Sequence, residues 1–434
     1  MQLSSLLGHA SELVRIVRKS PQPPDALAAD FLRARKYIGS TERRFLSELV
    51  FHTLRTLSLA DDVTRRFTLP DIVHGALALA LSDTMPITLS EAMTAASKTT
   101  VADLDQPMQD AVAWCRTHLD IRANAPDDMS DATWACTQPW LLDSIGNDGV
   151  DLFRSMLGPA PLCLRVNLRH TTRDRVMHEL ASMGIQAEAG RWSPAAIIIR
   201  QRVNLLQHAL YLNGMIEIQD EGSQLIGYAC DPHPNDDVLD ACAGAGGKTV
   251  HLADLQNDSG RILSADIEGA RLKEIFGRTR RAGVRSVVTR LVHLTRGLDV
   301  SDARRGFDVV LVDAPCSGMG TVRRLPMVKW RLTPELAKRH AAKQRKILST
   351  YARHVAQDGV LVYATCSILP AENRQVVEAF LADHPEFVEE PLAPVLARHG
   401  ITVDGLDGTS GMLQVDPWHH GTDGLFMARL RKVS

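Results

Sequence analysis

The sequence predicts a multidomain protein in which an all-α domain (residues 1–158) and a small α+β domain (159–221) precede a C-terminal α/β domain (222–434). Three changes of pattern predict this division. Apolar residues recur at spacings of three and four in the first part, and β-branched strands flank one amphipathic helix in the second. In the third part strands alternate with helices, which indicates a largely parallel sheet covered on both faces.

The composition is that of an ordinary globular protein, with 45% hydrophobic and 23% charged residues. No apolar run approaches the ~18 residues of a membrane span. The start of the chain carries charges from Glu12 onward, so no signal peptide is expected. The seven cysteines are scattered without a C-x-x-C pair, which argues against structural zinc and a disulfide framework. We therefore expect a cytoplasmic protein with no metal and no membrane partner.

The net charge of −2 conceals two basic blocks. Residues 271–296 contain eight Lys or Arg and one acid, and residues 323–346 contain nine and one. Basic blocks in a near-neutral chain favour contact with an anionic polymer such as RNA. Solvated helix faces explain either block alone equally well.

The individual elements follow from the periodicities. In the all-α part Ser40 and Thr41 are candidate N-caps of the third helix, and Thr171 and Thr172 are candidate caps in the α+β part. Predicted helices are 6–17, 27–37, 45–57, 72–81, 89–96, 140–157, 173–183, 270–281, 335–356 and 371–382. Predicted strands are 163–167, 195–199, 238–240, 261–265, 286–292, 307–312, 359–364 and 424–430.

The stretch 238–249, V-L-D-A-C-A-G-A-G-G-K-T, predicts a nucleotide-binding turn between a strand and a helix. A P-loop would need a glycine where Cys242 stands, and a dinucleotide fingerprint would need glycine or alanine at Thr249. Glycine allows backbone N–H groups to approach a ligand closely. The glycines of the turn are Gly244, Gly246 and Gly247.

Two carboxylates flank this turn. Asp240 stands at its start, and Asp266 closes the next strand. Carboxylates are unfavourable beside phosphates and favourable beside ribose hydroxyls and amino groups. The pattern therefore predicts an adenosine ligand without a phosphate, which favours S-adenosylmethionine as the cofactor.

A Cys-Ser pair follows each of two predicted strands. Asp313 precedes Cys316 and Ser317 after one strand, and Cys366 and Ser367 follow the other. Ligands of such sheets bind beyond the carboxyl ends of the strands, so both thiols are expected at the cofactor pocket. C5 of a pyrimidine is too weak a nucleophile to attack a sulfonium methyl group, but thiolate addition at C6 activates it. Asp313 is placed to contact the ring while it carries charge.

Five motifs together resemble the RsmB/NOP family of RNA (cytosine-5) methyltransferases. They are D-A-C-A-G-A-G-G-K-T (240–249), D-A-P-C-S-G (313–318), R-R-x-P-x-x-K-W (323–330), A-T-C-S-I-L-P-A-E-N (364–373) and D-G-L-F-M-A-R-L (423–430). The resemblance implies a Rossmann-like class I methyltransferase domain that methylates C5 of a cytidine through a covalent adduct with C6.

The resemblance also implies roles for individual residues. Cys366 would be the nucleophile, Cys316 would aid product release, and Asp313 would contact the base and border the cofactor. Lys248 would bind cofactor and approach the base, while Asp266 would bind the ribose hydroxyls. The cofactor would further be surrounded by Cys242, Ala243, Gly244, Ala245, Gly246 and Gly247.

The amino-terminal run 25–59 resembles the NusB-like domain of the bacterial RsmB branch, which favours a bacterial ribosomal RNA enzyme, most of all one acting on small-subunit ribosomal RNA. Because the target base must be unstacked to enter the pocket, an unpaired or unassembled region of the RNA is the expected substrate. Nothing in the sequence demands more than a monomer. Two positions depart from the family pattern. Its usual A-A-P-G-G-K is A-G-A-G-G-K here, and its usual aspartate after the third strand is missing from R-L-V-H-L-T (290–295). His293 or Asp299 are the candidate replacements, and the choice stays open.

Three alternatives remain at this stage. Transfer RNA is a second candidate substrate for the same chemistry. Uracil or small-molecule methylation would use the same donor, but RNA uracil methyltransferases lack the doubled Cys-Ser arrangement. A non-catalytic RNA-binding assembly factor would be expected to have lost a pocket cysteine or acid, whereas Lys248, Asp313, Cys316 and Cys366 are all present.

Overall fold

The computed structural model describes residues 1–81, 87–98, 104–118, 125–293, 297–298 and 305–433. The chain forms two compact units. The first comprises residues 1–159 together with 321–332, and the second comprises 160–320 together with 333–434. The domain boundaries predicted at residues 159 and 222 remain predictions.

The first unit is helical, as the spacing of apolar residues predicts. In its first helix, Leu6, Ala10, Leu13 and Val17 are buried on one face, and the last three enter the common core. The expected N-cap of the third helix is wrong by one residue, because the helix begins at Ser40 itself and Gly39 occupies the cap position. The helices are α1 Leu3–Lys19, α2 Pro24–Ala34, α3 Ser40–Arg55, α4 Leu57–Arg66, α5 Val73–Ala80, α6 Leu89–Ser97, α7 Gln106–His118, α8 Asp131–Trp134, α9 Pro139–Ile145 and α10 Gly149–Ser155.

Residues 321–332 belong to this helical unit although they lie far from it in sequence. Their short helix Met327–Arg331 ends the motif R-R-x-P-x-x-K-W, and Met327 enters the helical core. Lys329 Nζ donates to the Arg55 carbonyl at 2.8 Å, and Trp330 Nε1 donates to the Leu54 carbonyl at 2.8 Å. Both carbonyls belong to the last turn of α3, so the two side chains cap its carboxyl end.

The second unit contains a small antiparallel sheet in the order β2-β3-β1-β4. Its helix α11 packs Val176 and Leu180 against Leu164 of the sheet. The predicted cap at Thr172 is confirmed, because its side chain accepts a hydrogen bond from the backbone N–H of Arg175. The elements are β1 Leu162–Val166, α11 Arg173–Ser182, β2 Glu188–Ala189, β3 Ala196–Ile199, α12 Ala209–Leu212 and β4 Ile216–Ile218.

The same unit contains the large sheet, whose strands are ordered β10-β12-β9-β8-β5-β6-β7 with β11 paired to β12. The five strands β5 to β9 run parallel, which confirms the predicted α/β character, and β10 to β12 are antiparallel. The strands are β5 Asp237–Asp240, β6 Arg261–Asp266, β7 Val287–Leu291, β8 Phe307–Asp313, β9 Val355–Thr365, β10 Phe387–Glu389, β11 Met412–Val415 and β12 Leu425–Lys432.

Helices cover both faces of this sheet. Val238 of β5 joins one buried cluster and Leu239 joins another, as the alternation of side chains along a strand requires. The helices are α13 Glu221–Cys230, α14 Gly247–Leu255, α15 Gly269–Ala282, α16 Pro334–Ala352, α17 Arg374–Asp383 and α18 Leu392–Ala397.

The predicted helix 335–356 is too long at its end. The structure ends α16 at Ala352, and β9 begins at Val355 because Val355 pairs with Phe307 of β8. Among the described residues, no helix combines the length and apolarity needed to cross a membrane.

Candidate active site

The glycine-rich turn lies between β5 and α14. Gly244 has a φ of +54° and Gly246 a φ of +85°, a region that side chains with a Cβ adopt only with strain. A Cβ at Gly246 would also lie 2.8 Å from Cγ1 of Ile275. On the other side, a Cβ at Gly244 or Gly247 would meet no atom within 4 Å. The turn is therefore packed tightly against α15 and open where a ligand would approach.

Asp266 ends β6 next to this turn and is only 9% exposed. Its Oδ2 accepts the N–H of Gly244 at 2.9 Å, and its Oδ1 accepts the N–H of Glu268 at 2.8 Å. Two backbone donors thus hold the carboxylate in place, and each oxygen retains a second lone pair for a ligand hydroxyl. This donor set fits the ribose of S-adenosylmethionine.

Asp240, one of the two carboxylates from which the sequence predicts an adenosine ligand, is buried at the start of the turn. Its Oδ2 accepts the hydroxyl of Thr249 at 2.7 Å, and no residue that the structure describes forms a hydrogen bond with its Oδ1. Burial raises the pKa of Asp240 to about 7, against the opposing effect of the Thr249 hydrogen bond. The group therefore fastens the first turn of α14 to the end of β5.

Lys248 and Asp313 form an ion pair, with Nζ and Oδ2 separated by 2.6 Å. Burial alone would lower the pKa of Lys248, but Asp313, Cys366 and Asp240 favour its charged form and the net pKa is raised. The Asp313 side chain is 29% exposed, so it remains accessible to a substrate.

The two cysteines meet at the carboxyl ends of adjacent parallel strands. In the register of β8 and β9, Asp313 lies opposite Ala364, which brings the two following turns together. The Sγ atoms of Cys316 and Cys366 are 3.2 Å apart, and both residues are partly exposed. This separation is a hydrogen-bonding contact and exceeds the ~2.05 Å of a disulfide.

The contact between the two thiols shifts their pKa values in opposite directions. The hydrogen bond from Cys316 lowers the pKa of Cys366; burial and Asp313 oppose this shift, and Lys248 reinforces it. The pKa of Cys316 is raised well above its usual range by the same hydrogen bond, by burial and by the charges of Cys366 and Glu372. Cys366 is therefore the preferred thiolate and Cys316 the preferred thiol.

The remaining predicted cofactor residues lie in the same turn. Ala243 packs against Leu272 and Ile275, and Ala245 is partly exposed. Burial raises the pKa of Cys242, which makes it a poor nucleophile. His293 is exposed after β7, and Asp299 lies outside the described residues.

Several cations of the two basic blocks are buried or paired within the protein, so only some of them are available to contact an anionic polymer. Arg278 and Arg281 both bind Glu217, which is 2% exposed. In the second block Lys329 is fully buried, and Arg331 donates to backbone carbonyls, including that of Ser20 at 2.8 Å. The exposed cations of the second block lie on α16 at Lys338, Arg339, Lys343, Arg345 and Lys346.

One residue to which the sequence assigned no role is Glu372, whose carboxylate binds the serines that follow both cysteines. It lies within the motif A-T-C-S-I-L-P-A-E-N, and the repeated Cys-Ser marks two hydroxyl groups in need of an acceptor. Within the described part of the chain, no group of three or more His, Cys, Asp or Glu side chains is arranged to hold a metal ion.

Comparison with known proteins identifies the family. Residues 227–431 match the family described as 16S rRNA methyltransferase RsmB/F, and residues 140–206 match the RsmF/B-like ferredoxin-like domain. A protein of Bacillus subtilis named probable ribosomal RNA small subunit methyltransferase B is 33% identical over 310 residues, which are 69% of this chain and 67% of that protein. The chain belongs to the RsmB/F family. This confirms the resemblance found in the motifs, and S-adenosylmethionine is the cofactor of such a methyltransferase.

Other relatives extend the comparison. A probable ribosomal RNA small subunit methyltransferase B of Synechocystis is 34% identical over 63% of this chain, and the match spans 60% of its own length. The crystal structure of PH0851 superposes with a TM-score of 0.73 over 99% of both chains at 24% identity. A methyltransferase homolog protein from Pyrococcus horikoshii gives a TM-score of 0.56 at 27% identity over 68% of this chain and 100% of its own. These solved structures share the fold of this chain.

Proposed function

We propose that the protein transfers a methyl group from S-adenosylmethionine to C5 of a cytidine in small-subunit ribosomal RNA, through a covalent adduct between Cys366 and C6. The observation that carries this proposal is the 3.2 Å contact between the two Sγ atoms. The reaction needs one thiolate that adds to the base and one thiol that assists when this thiolate later leaves. A pair of thiols whose pKa values are shifted in opposite directions suits both needs.

In the first step the Cys366 thiolate forms a bond to C6, and the ring electrons shift toward N3 and O2. Asp313 and Lys248 lie at the same strand ends, so hydrogen bonds from this pair would hold the ring as its charge changes. C5 then carries the electron pair that would attack the methyl group of the cofactor, and the bond between that methyl group and the sulfonium sulfur would break with its electron pair remaining on sulfur.

In the second step C5 loses its proton to a base, and the electron pair of that bond restores the ring double bond while the bond from Cys366 to C6 breaks. The departing thiolate receives the hydrogen bond of the Cys316 S–H group. Cys316 therefore serves product release, which is the role expected from the motif.

The cofactor would be bound by the turn from Cys242 to Lys248, with its ribose on Asp266 and its reactive end toward Asp313. The open side of the turn at Gly244 and Gly247 supports this orientation. S-Adenosylmethionine supplies the electrophilic methyl group when it is bound.

The exposed basic face of α16, defined by Lys338, Arg339, Lys343, Arg345 and Lys346, would contact RNA phosphates. Of these, Lys343 lies near enough to the cofactor turn for its charge to act on Cys242. The target base must leave its stack to reach the cysteines, so an unpaired segment is the expected substrate.

The names of the relatives support small-subunit ribosomal RNA rather than transfer RNA as substrate. The helical unit is proposed to be NusB-like on the resemblance of residues 25–59. Because a single chain supplies all the proposed site residues, we expect a cytosolic monomer, which sedimentation analysis with and without RNA would check.

Covalent trapping tests the proposal. Cys316→Ala should form the adduct slowly and fail to release it, so incubation with cofactor and deproteinised ribosomal RNA should yield a protein–RNA species stable to denaturation. Cys316→Ala/Cys366→Ala should yield none, and Cys230→Ala, at a buried cysteine of α13, should behave as wild type. An adduct that persists without Cys366 would assign the nucleophile elsewhere. Sequencing the attached RNA would distinguish ribosomal from transfer RNA.

A further inference from the structure

Glu372 connects the two cysteine-bearing turns. It ends the 3-10 helix Pro370–Glu372 and is 0% exposed. Its Oε2 accepts the hydroxyl of Ser367 at 2.6 Å and that of Ser317 in a short hydrogen bond. Its Oε1 accepts the backbone N–H of Ser317 at 2.8 Å and the side-chain amide of Gln344 at 3.1 Å. A single buried carboxylate thus joins the residues that directly follow Cys316 and Cys366.

The hydroxyl protons have a defined direction. Ser367 Oγ accepts the N–H of Leu369 at 3.1 Å, and Ser317 Oγ accepts the N–H of Met319 at 3.4 Å. The two Oγ atoms also lie 3.3 Å apart, but the carboxylate is the stronger acceptor, so each hydroxyl donates to Glu372. Four donors on one carboxyl group are the pattern of an ionised carboxylate, which only accepts.

This arrangement fixes the spacing of the thiols. The backbone N–H of Gly320 donates to the Cys366 carbonyl at 2.9 Å, so the two turns are also joined through the main chain. That bond positions the backbone, whereas the serine hydroxyls position the residues adjacent to each Sγ. Without the carboxylate, these donors would lose the acceptor they share, and the turns would separate or rearrange.

The charge of Glu372 also acts on the pair asymmetrically. Its negative charge is among the causes that raise the pKa of Cys316, after the hydrogen bond to Cys366, burial and the charge of Cys366. The strongest charges acting on Cys366 are instead Asp313 of β8 and Lys248 of α14. Tyr363 of β9 faces the cluster too, and its hydroxyl donates to the Glu372 carbonyl at 2.6 Å.

We propose that Glu372 is a positioning residue that holds Cys316 and Cys366 at hydrogen-bonding distance. Through its negative charge it keeps the proton of the hydrogen bond between the two thiols on Cys316, so that Cys366 is the thiolate. This inference rests on the proposed covalent mechanism, in which the identity of the thiolate decides the nucleophile. Glu372 itself touches neither substrate nor cofactor in this scheme.

Glu372→Gln tests the inference because it keeps the shape of the side chain and removes its charge. The readout is alkylation of each cysteine by iodoacetamide, without RNA, followed by peptide mass spectrometry over a range of pH. In wild type Cys366 should react first. In the variant the rate ratio of Cys366 to Cys316 should fall about tenfold, which corresponds to one pKa unit. The Cys316 profile should move to lower pH, because the negative charge that raises its pKa has been removed.

The matched control is Glu378→Gln, which makes the same charge change on α17, where the side chain is 55% exposed. It should leave the rate ratio unchanged. Ser317→Ala/Ser367→Ala retains the charge but removes both hydroxyl donors, so it should reduce the preference through loss of positioning. Glu372→Asp should restore the preference in part, because the charge remains.

The outcomes separate this inference from the proposed function. An unchanged ratio in folded Glu372→Gln would overturn the inference even if the RNA is methylated. A lost preference in Glu372→Gln, together with a Cys316→Ala enzyme that forms no RNA adduct, would support the inference and refute the covalent mechanism. If Glu372→Gln does not fold, Glu372→Asp decides, and a folded, charged variant without any preference would contradict the electrostatic role.

Discussion

Replacing Asp266 by asparagine should weaken cofactor binding by an amount that follows from its contacts. Each carboxylate oxygen accepts one backbone N–H, from Gly244 and from Glu268, and has one lone pair left for a ribose hydroxyl. Asparagine has a single acceptor oxygen, so its amide group must face one of the two backbone donors. That contact sets donor against donor, and one of the two hydrogen bonds to the ribose is lost as well.

Hydrogen bonds to charged groups contribute about 1.5–3 kcal/mol each. The loss of one therefore predicts a decrease of about 2 kcal/mol, or roughly 30-fold in the dissociation constant of S-adenosylmethionine. Isothermal titration calorimetry of the full chain measures this without RNA. Glu268→Gln is the control, because Glu268 is 53% exposed and its side chain pairs only with Arg271 among the ion pairs of the described residues. A folded Asp266→Asn variant with less than about threefold weaker binding would refute the proposed ribose contact.

Three further predictions concern the lysines. Lys248→Met should raise the pKa of Cys366 and move its alkylation profile to higher pH, whereas exposed Lys273→Met should leave that profile unchanged. At a pH below the pKa of Cys366, each increase of one unit in that pKa should slow the alkylation of Cys366 about tenfold. Replacing Lys338, Lys343 and Lys346 of α16 by alanine should weaken RNA binding without changing cofactor affinity. The slope of the logarithm of the RNA binding constant against the logarithm of the salt concentration should fall in magnitude by roughly 2, because three contacts to single-strand phosphates are lost. An unchanged slope would exclude this face as the RNA contact. Burial lowers the pKa of Lys329 from 10.5 to about 8. Between pH 8 and pH 10.5 the unfolded chain therefore binds more protons than the folded chain. The free energy of unfolding should rise with pH across this range, by up to roughly 3 kcal/mol. Urea unfolding at several pH values should show a smaller rise for Lys329→Met, and equal slopes would contradict the assignment.

The parts of the site that the sequence predicts are those with strong local signals. Strands such as β5 and β6 are short apolar runs bounded by turns, so their carboxyl ends could be located from the pattern. Glycine at positions 244 and 246 marks the left-handed conformations found in the turn. The meeting of Cys316 and Cys366 follows from the rule that parallel strands present their carboxyl ends at one edge.

The missed features depend on contacts between residues that are distant in sequence. Glu372 appears in the sequence as one more acid at the start of a predicted helix, and only the 3-10 turn directs it toward Ser317 and Ser367. Lys329 was counted within a basic block, yet the structure buries it against the end of α3. The overextended helix 335–356 has the same origin, because pairing between Val355 and Phe307 overrides the local helical pattern.

The most direct test of the central claim is the chemical identity of the methylated nucleoside. Small-subunit ribosomal RNA transcribed in vitro would be incubated with the enzyme and S-adenosylmethionine that carries a trideuterated methyl group, digested, and analysed by liquid chromatography and mass spectrometry. We expect the label in 5-methylcytidine alone, and no label with Cys366→Ala. Label in any other nucleoside, or label that persists without Cys366, would contradict cytidine C5 methylation through this cysteine.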